Sequence, residues 1–273
     1  MSNTAKRILV GIIGIPIFLF LIYKGGIFFL CLSVIITTLA LWELYSMFET
    51  KNYSPLKMLP IVLSILIIVT NFIWKGSAIY SLLLCGTMIF AAEIFRKGSK
   101  SPLNSMISVF GIVYITIPFI CLNTIILFEQ FNFIIYIFIL IWTCDTMAFF
   151  GGKYFGKHKL SEISPKKTWE GSITGFLFTM AASYLFFYFS GGRITLTDSL
   201  VIGLIVGIFS QVGDLFESLI KRKLDVKDSS QIIPGHGGVL DRFDSLIFVA
   251  PLVLIYFYIV NISKSLIFIS PTN

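Results

Sequence analysis

Apolar residues gather in nine runs along the chain, at about 8–23, 27–46, 56–74, 78–95, 106–128, 132–150, 171–190, 199–217 and 245–262. Each lies near the ~20 residues that a bilayer's hydrocarbon demands of a spanning helix. The pattern predicts an all-α, polytopic integral membrane protein with about nine transmembrane helices, although closely spaced pairs leave room for re-entrant segments. The first five runs occupy 1–130, and the last four, with two long polar connections, occupy 131–273. The eighth run departs from uniform apolarity. Ser210, Gln211, Asp214, Glu217, Ser218 and Lys221 recur at spacings of three and four, which places them on one helical face. A stripe with two acids is expensive against lipid, so it must face other helices or a wet cavity.

Composition agrees with the pattern. Of 273 residues 56% are hydrophobic and 13% charged, and the mean hydropathy is +0.91. That is too little charge to clothe a soluble protein of this length. The net charge of +7 matters less than its placement. With the N-terminus in the cytoplasm and nine alternating spans, only Lys24, Lys75, Arg193 and Lys264 of the 21 basic residues fall outside. Lys6 and Arg7 followed by an apolar run resemble a signal peptide without its small-residue cleavage site, so an uncleaved first span is expected. Cys31, Cys85, Cys121 and Cys144 sit in separate apolar runs without zinc-ligand spacing, and read as small buried hydrophobes.

Two inner loops carry candidate chemistry. The first holds Asp145, inside its apolar run, then Gly151, Gly152, Gly156, Lys157, Lys159, Lys166, Lys167, Thr168 and Glu170. Glycines permit close backbone approach, lysines neutralise phosphate, and Ser164-Pro165 is a helix entry whose free N–H groups favour anions. Taken alone, the lysines fit topology signals or anionic-lipid anchors equally well. The second loop runs from Ser218 to Asp244, with Lys221, Arg222, Lys223, Lys227, Asp228, a Gly-rich turn at 234–238, Asp241 and Arg242. Asp214, Asp241 and Asp244 are candidate hard oxygen ligands for a divalent cation, and the basic run with the Gly-rich turn suits a polyphosphate. His236 is a proton carrier, a phosphate donor or a hydrogen-bonding strut. Walker A, GxGxxG, HExxH and nucleophile-elbow patterns are absent from the sequence, as is the basic-aromatic interleaving of a nucleic-acid reader, so no nucleic acid is expected as partner. Metal-dependent transfer of a phosphoryl or nucleotidyl group at the lipid interface is the chemistry these residues suit.

Ser218, Ile220, Lys221, Arg222, Lys227, Asp228, Ser229, Ser230, Ile233, Pro234, Gly235, His236, Gly237, Gly238, Val239, Asp241, Arg242, Phe243 and Asp244, at their spacing, resemble the complete signature of the phosphatidate cytidylyltransferases, the CDP-diacylglycerol synthases. The first loop resembles that family too, and the likeness covers about 140–262; the first five runs agree only in being apolar. The resemblance implies condensation of CTP with phosphatidic acid to CDP-diacylglycerol and pyrophosphate, with Mg2+, in a multi-pass homodimer of the bacterial plasma membrane acting at its cytoplasmic face. It implies catalytic roles for Asp214, Ser218, Lys221, Arg222, Asp241 and Asp244. The metal is assigned to Asp214, Asp241 and Asp244. Substrate contacts fall to Asp145, Lys166, Lys167, Thr168, Glu170, Lys227, Asp228, His236, Gly237, Gly238 and Arg242. A second, monovalent cation is a further expectation. A transporter and a polyprenol kinase are the rival classes.

Overall fold

The computed structural model describes residues 3–98, 101–128, 133–233, 235 and 237–269. Among the described residues nine helical rods stand in the expected order: α1 (Asn3–Lys24), α2 (Gly26–Glu49), α3 (Met58–Ile73), α4 (Ala78–Phe95), a composite fifth rod, α7 (Phe133–Phe155), α8 (Trp169–Phe189), α9 (Leu196–Lys223) and α10 (Leu240–Ile269). The fifth rod joins α5 (Pro102–Gly111) to α6 (Ile117–Phe128) through a π-helical turn, Ile112–Thr116. Pro118 follows that turn. Proline has no N–H to donate and its ring crowds the carbonyl four residues back, here Tyr114, so the helix widens locally. Among the described residues β structure is limited to two isolated bridges, Lys159 with Thr168 and Ile233 with Gly237. Seven of these rods, over their described residues, are long and apolar enough to cross a membrane; α3 and the Gly11–Lys24 part of α1 are shorter. The chain is therefore a polytopic helical membrane protein.

Helices α7 to α10 form one tightly packed group, and α6 and α2 lie against α10. Small residues let the backbones close in, as helix pairs in lipid require. A Cβ on Gly171 of α8 would stand 2.6 Å from the Ala148 carbonyl of α7, and one on Gly213 of α9 would stand 2.5 Å from the Asp244 carbonyl of α10. A Cβ on Gly151 of α7 would likewise stand 2.5 Å from the Thr174 side chain of α8. Three cysteines are buried as expected, whereas Cys31 is exposed on α2.

The connections after α2, α4, α7 and α9 meet at one end of the bundle, as alternation requires. Lys51 pairs with Asp225, whose carboxyl it holds below the usual carboxylate range. The Thr50 hydroxyl donates to the Leu224 carbonyl at 3.4 Å, and Arg96 donates to the Ser54 carbonyl. Lys167 reaches Asp214 at 2.5 Å.

Candidate functional site

The polar stripe of α9 faces inward. Ser210 and Glu217 are fully buried, and the Gln211 amide donates to the Ser172 carbonyl of α8 at 3.2 Å. Lys221 Nζ lies 3.0 Å from Glu217 Oε2 and 2.6 Å from Asp241 Oδ1, so one ammonium joins α9 to the first turn of α10. Glu217 also meets the carboxyl of Asp244, and the close contact at Gly213 keeps α9 and α10 in that register. Asp214 pairs with Lys167 from the loop before α8 and accepts a long bond, 3.4 Å, from Ser218. Asp145 is exposed on α7, within electrostatic reach of Asp214, Asp244, Lys167 and Arg242.

Beyond α9 the chain turns back through 224–239. Asp241 organises this loop: Oδ2 accepts from the Ser229 N–H (3.0 Å), the Ser229 hydroxyl (3.0 Å) and the Gly238 N–H (2.8 Å), while Oδ1 takes Lys221. Glu43, from α2, holds the same loop from the other side. Its Oε1 accepts from the Ser230 hydroxyl (2.6 Å) and the Val239 N–H (2.8 Å), and its Oε2 from the Ser229 hydroxyl (2.9 Å) and the Leu240 N–H (2.8 Å). Gly238 lies between them; a Cβ there would stand 2.6 Å from Glu43 Oε2 and overlap the Ser229 hydroxyl. The donors at the α10 end of this turn are engaged within the chain. The amides of Gly238, Val239 and Leu240 are spent on the chain's own carboxylates, and Gly237 gives its carbonyl to the Ile233 N–H at 3.0 Å. His236 and Pro234 lie outside the described residues.

The first loop differs from expectation at its helix entry. Thr168, not Ser164, caps α8, accepting from the Gly171 N–H at 3.1 Å, because Ser164 and Pro165 belong to a turn closed by the Lys167 N–H on the Ser164 carbonyl. Glu170 is likewise engaged: its carboxylate lies 2.5 Å from the His158 ring and accepts from the Lys157 and His158 N–H groups. Thr168 and Glu170 shape the loop. Lys166, Arg222, Lys227, Asp228 and Arg242 are exposed, and Arg222 donates to the Val226 carbonyl at 3.3 Å.

Carboxylates suit a hard divalent cation. Asp214, Asp241 and Asp244 do not, however, converge as a trio: among the described residues no group of three or more His, Cys, Asp or Glu side chains is spaced to hold a metal ion. Asp241 is the misfit, its oxygens already filled by Lys221, Ser229 and Gly238. The acceptor left over is Glu217 Oε1, buried without a hydrogen-bond partner, next to Asp244. The Tyr114 hydroxyl is a second such orphan. It stands on the π-helical turn, its ring against Phe110, Phe216 and Phe248, within electrostatic reach of Glu217, Asp214 and Asp244. Sequence reasoning passes over Glu43, the single charged residue of its apolar run, and Tyr114, an aromatic among apolar residues, while Pro118 is the available signal for the irregular turn.

The model of the cytidylyltransferase family matches residues 5–260. The chain belongs to that family. Relatives that carry the name phosphatidate cytidylyltransferase include three from Staphylococcus species. Those of Staphylococcus saprophyticus and Staphylococcus aureus are each 34% identical to it, over 255 and 251 residues, and that of Staphylococcus haemolyticus is 32% identical over 255. Each alignment covers 90% of this chain and 96% of the relative.

Proposed function

We propose that this protein is a phosphatidate cytidylyltransferase, transferring CMP from CTP to phosphatidic acid to give CDP-diacylglycerol and pyrophosphate. The observation that carries the reading is the convergence of Lys167, Lys221 and Arg242 with Asp145, Asp214, Glu217 and Asp244 at one end of α7–α10. The chain's membership of the family supports it. A phosphatidate oxygen attacks the α-phosphorus of CTP in line, the bond to the bridging oxygen of the β-phosphate breaks, and pyrophosphate leaves with the electron pair. An ionised phosphate needs no general base, so the barrier is mainly the approach of two anions, lowered by fixed positive charge. Lys166, Lys167, Arg222, Lys227 and Arg242 meet phosphate oxygens, while Lys221 ties Glu217 to Asp241. Asp214 and Asp244 would hold Mg2+ together with phosphate oxygens of the substrates, and the ion would screen phosphate charge and stabilise the leaving group. The end of the bundle bearing these groups faces the cytoplasm, the nine rods all cross the plasma membrane, and the protein works as a homodimer.

Radiolabelled CTP supplied with phosphatidic acid in detergent micelles, with and without magnesium, tests the reaction. Label in lipid and pyrophosphate in solution are expected only with magnesium. Release of CDP would point to a kinase, and uptake into vesicles without incorporation to a transporter.

A further inference from the structure

We infer that Glu43 is a positioning residue for the transfer, anchoring the 226–240 loop so that Asp241 and Lys221 stand in working register; this rests on the transferase reading above.

Glu43 comes from α2, in the half of the chain whose sequence offers no chemistry, and is 1% exposed. A buried carboxylate is costly unless its charge is answered. Among the described residues no ion pair reaches it. What answers it instead is two amides, the Ser230 hydroxyl and the Ser229 hydroxyl that it shares with Asp241, at 2.6 to 2.9 Å. The amides belong to Val239 and Leu240, at the N-terminal entry of α10, where exposed N–H groups and the helix dipole favour an anion. The anion held there is therefore the protein's own.

Two features tie this anchor to the reacting end. Ser229 has one hydroxyl proton and two carboxylates within reach, Glu43 at 2.9 Å and Asp241 at 3.0 Å, so a shift of Glu43 alters what Asp241 receives. Asp241 in turn holds Lys221, which also bears on Glu217. The chain of contacts runs Glu43, Ser229, Asp241, Lys221, Glu217, from α2 through the loop into α9. A helix that touches no substrate thus sets the register of residues beside those that do.

The test uses the full-length protein in detergent, with Glu43→Gln as main variant. An amide keeps the size of the side chain but turns an NH2 toward N–H donors. Since an ångström of misplacement far from the chemistry costs about 100-fold, kcat should fall by about that factor. KM for CTP should rise as well, beyond the fall in unfolding midpoint that the lost hydrogen bonds cause. A smaller folded fraction would lower kcat alone, so the KM rise separates positioning from mere support. Tryptic cleavage after the exposed Lys227 should be faster, a readout independent of activity. Ser230→Ala, which removes one bond to Glu43, should move KM and cleavage in the same direction by less, and serves if Glu43→Gln fails to fold. Unchanged Lys227 cleavage, or a kcat loss matched by folded fraction with KM for CTP unaltered, would overturn the inference. A wild-type protein that puts no CMP into lipid would overturn the activity reading instead, and Lys227 cleavage would then judge the anchor by itself.

Discussion

Replacing Lys221 with methionine should be the most destabilising single charge removal at this end of the bundle. The ammonium is 12% exposed and lies between Glu217, 0% exposed, and Asp241, 9% exposed. Removing one partner of a buried ion pair costs about 3–5 kcal/mol, because the other charge stays behind without compensation. The two stranded carboxylates are not equivalent. Asp241 keeps the Ser229 N–H, the Ser229 hydroxyl and the Gly238 N–H, whereas Glu217 has lost the donor to Oε2 and has none on Oε1. Most of the loss therefore sits on Glu217. Lys221→Met should lower stability by about 3–5 kcal/mol, followed by denaturing-detergent titration in mixed micelles, and adding Glu217→Gln should recover most of it. Adding Asp241→Asn should recover little, since an amide would oppose the donors of Ser229 and Gly238. The reasoning fails if Lys221→Met stays within about 1 kcal/mol of wild type, or if Asp241→Asn rescues as well as Glu217→Gln.

Asp214→Asn and Asp244→Asn should each abolish CTP-dependent lipid formation while the protein still inserts, and near-normal turnover in either would remove it from the metal assignment. Lys167→Met should cut turnover by about 100-fold yet change stability by under ~1 kcal/mol, because its pair with Asp214 is about a third exposed and screened. Calorimetry and the CTP assay on one preparation distinguish the two effects. Gly171→Val should destabilise by roughly 1–3 kcal/mol through forced separation of α7 from α8, read as a lower unfolding midpoint.

The rods were legible because a bilayer imposes a length on each, and a run of about 20 apolar residues has few other fates. Their order and the inward face of α9 follow from the same rule, since Asp214 and Glu217 have nowhere else to go. Helix entries were less legible: Ser164-Pro165 has the composition of a start, but Thr168 supplies the cap because Glu170 ties the preceding loop to Lys157 and His158. Partner choice among charges was the least legible. Spacing shows that Asp241 and Asp244 share a face; it does not show that one turns to Lys221 and the other to Glu217. Nor does periodicity assign Glu43, whose partners lie 186 to 197 positions away.

Those partnerships divide the 218–244 segment into two kinds of polar residue. Ser229, Gly238 and Asp241 are turned inward and satisfied by one another, by Lys221 and by Glu43. Arg222, Lys227, Asp228 and Arg242 remain at the surface. The distinction has a physical origin. A loop with this many lysines and arginines close together in sequence repels itself. Packing carboxylates beneath it offsets that repulsion and fixes its shape before substrate arrives, which lowers the ordering cost of binding. Much of a motif that looks catalytic in the sequence is therefore the frame of its own loop, and one corner of that frame is supplied by α2.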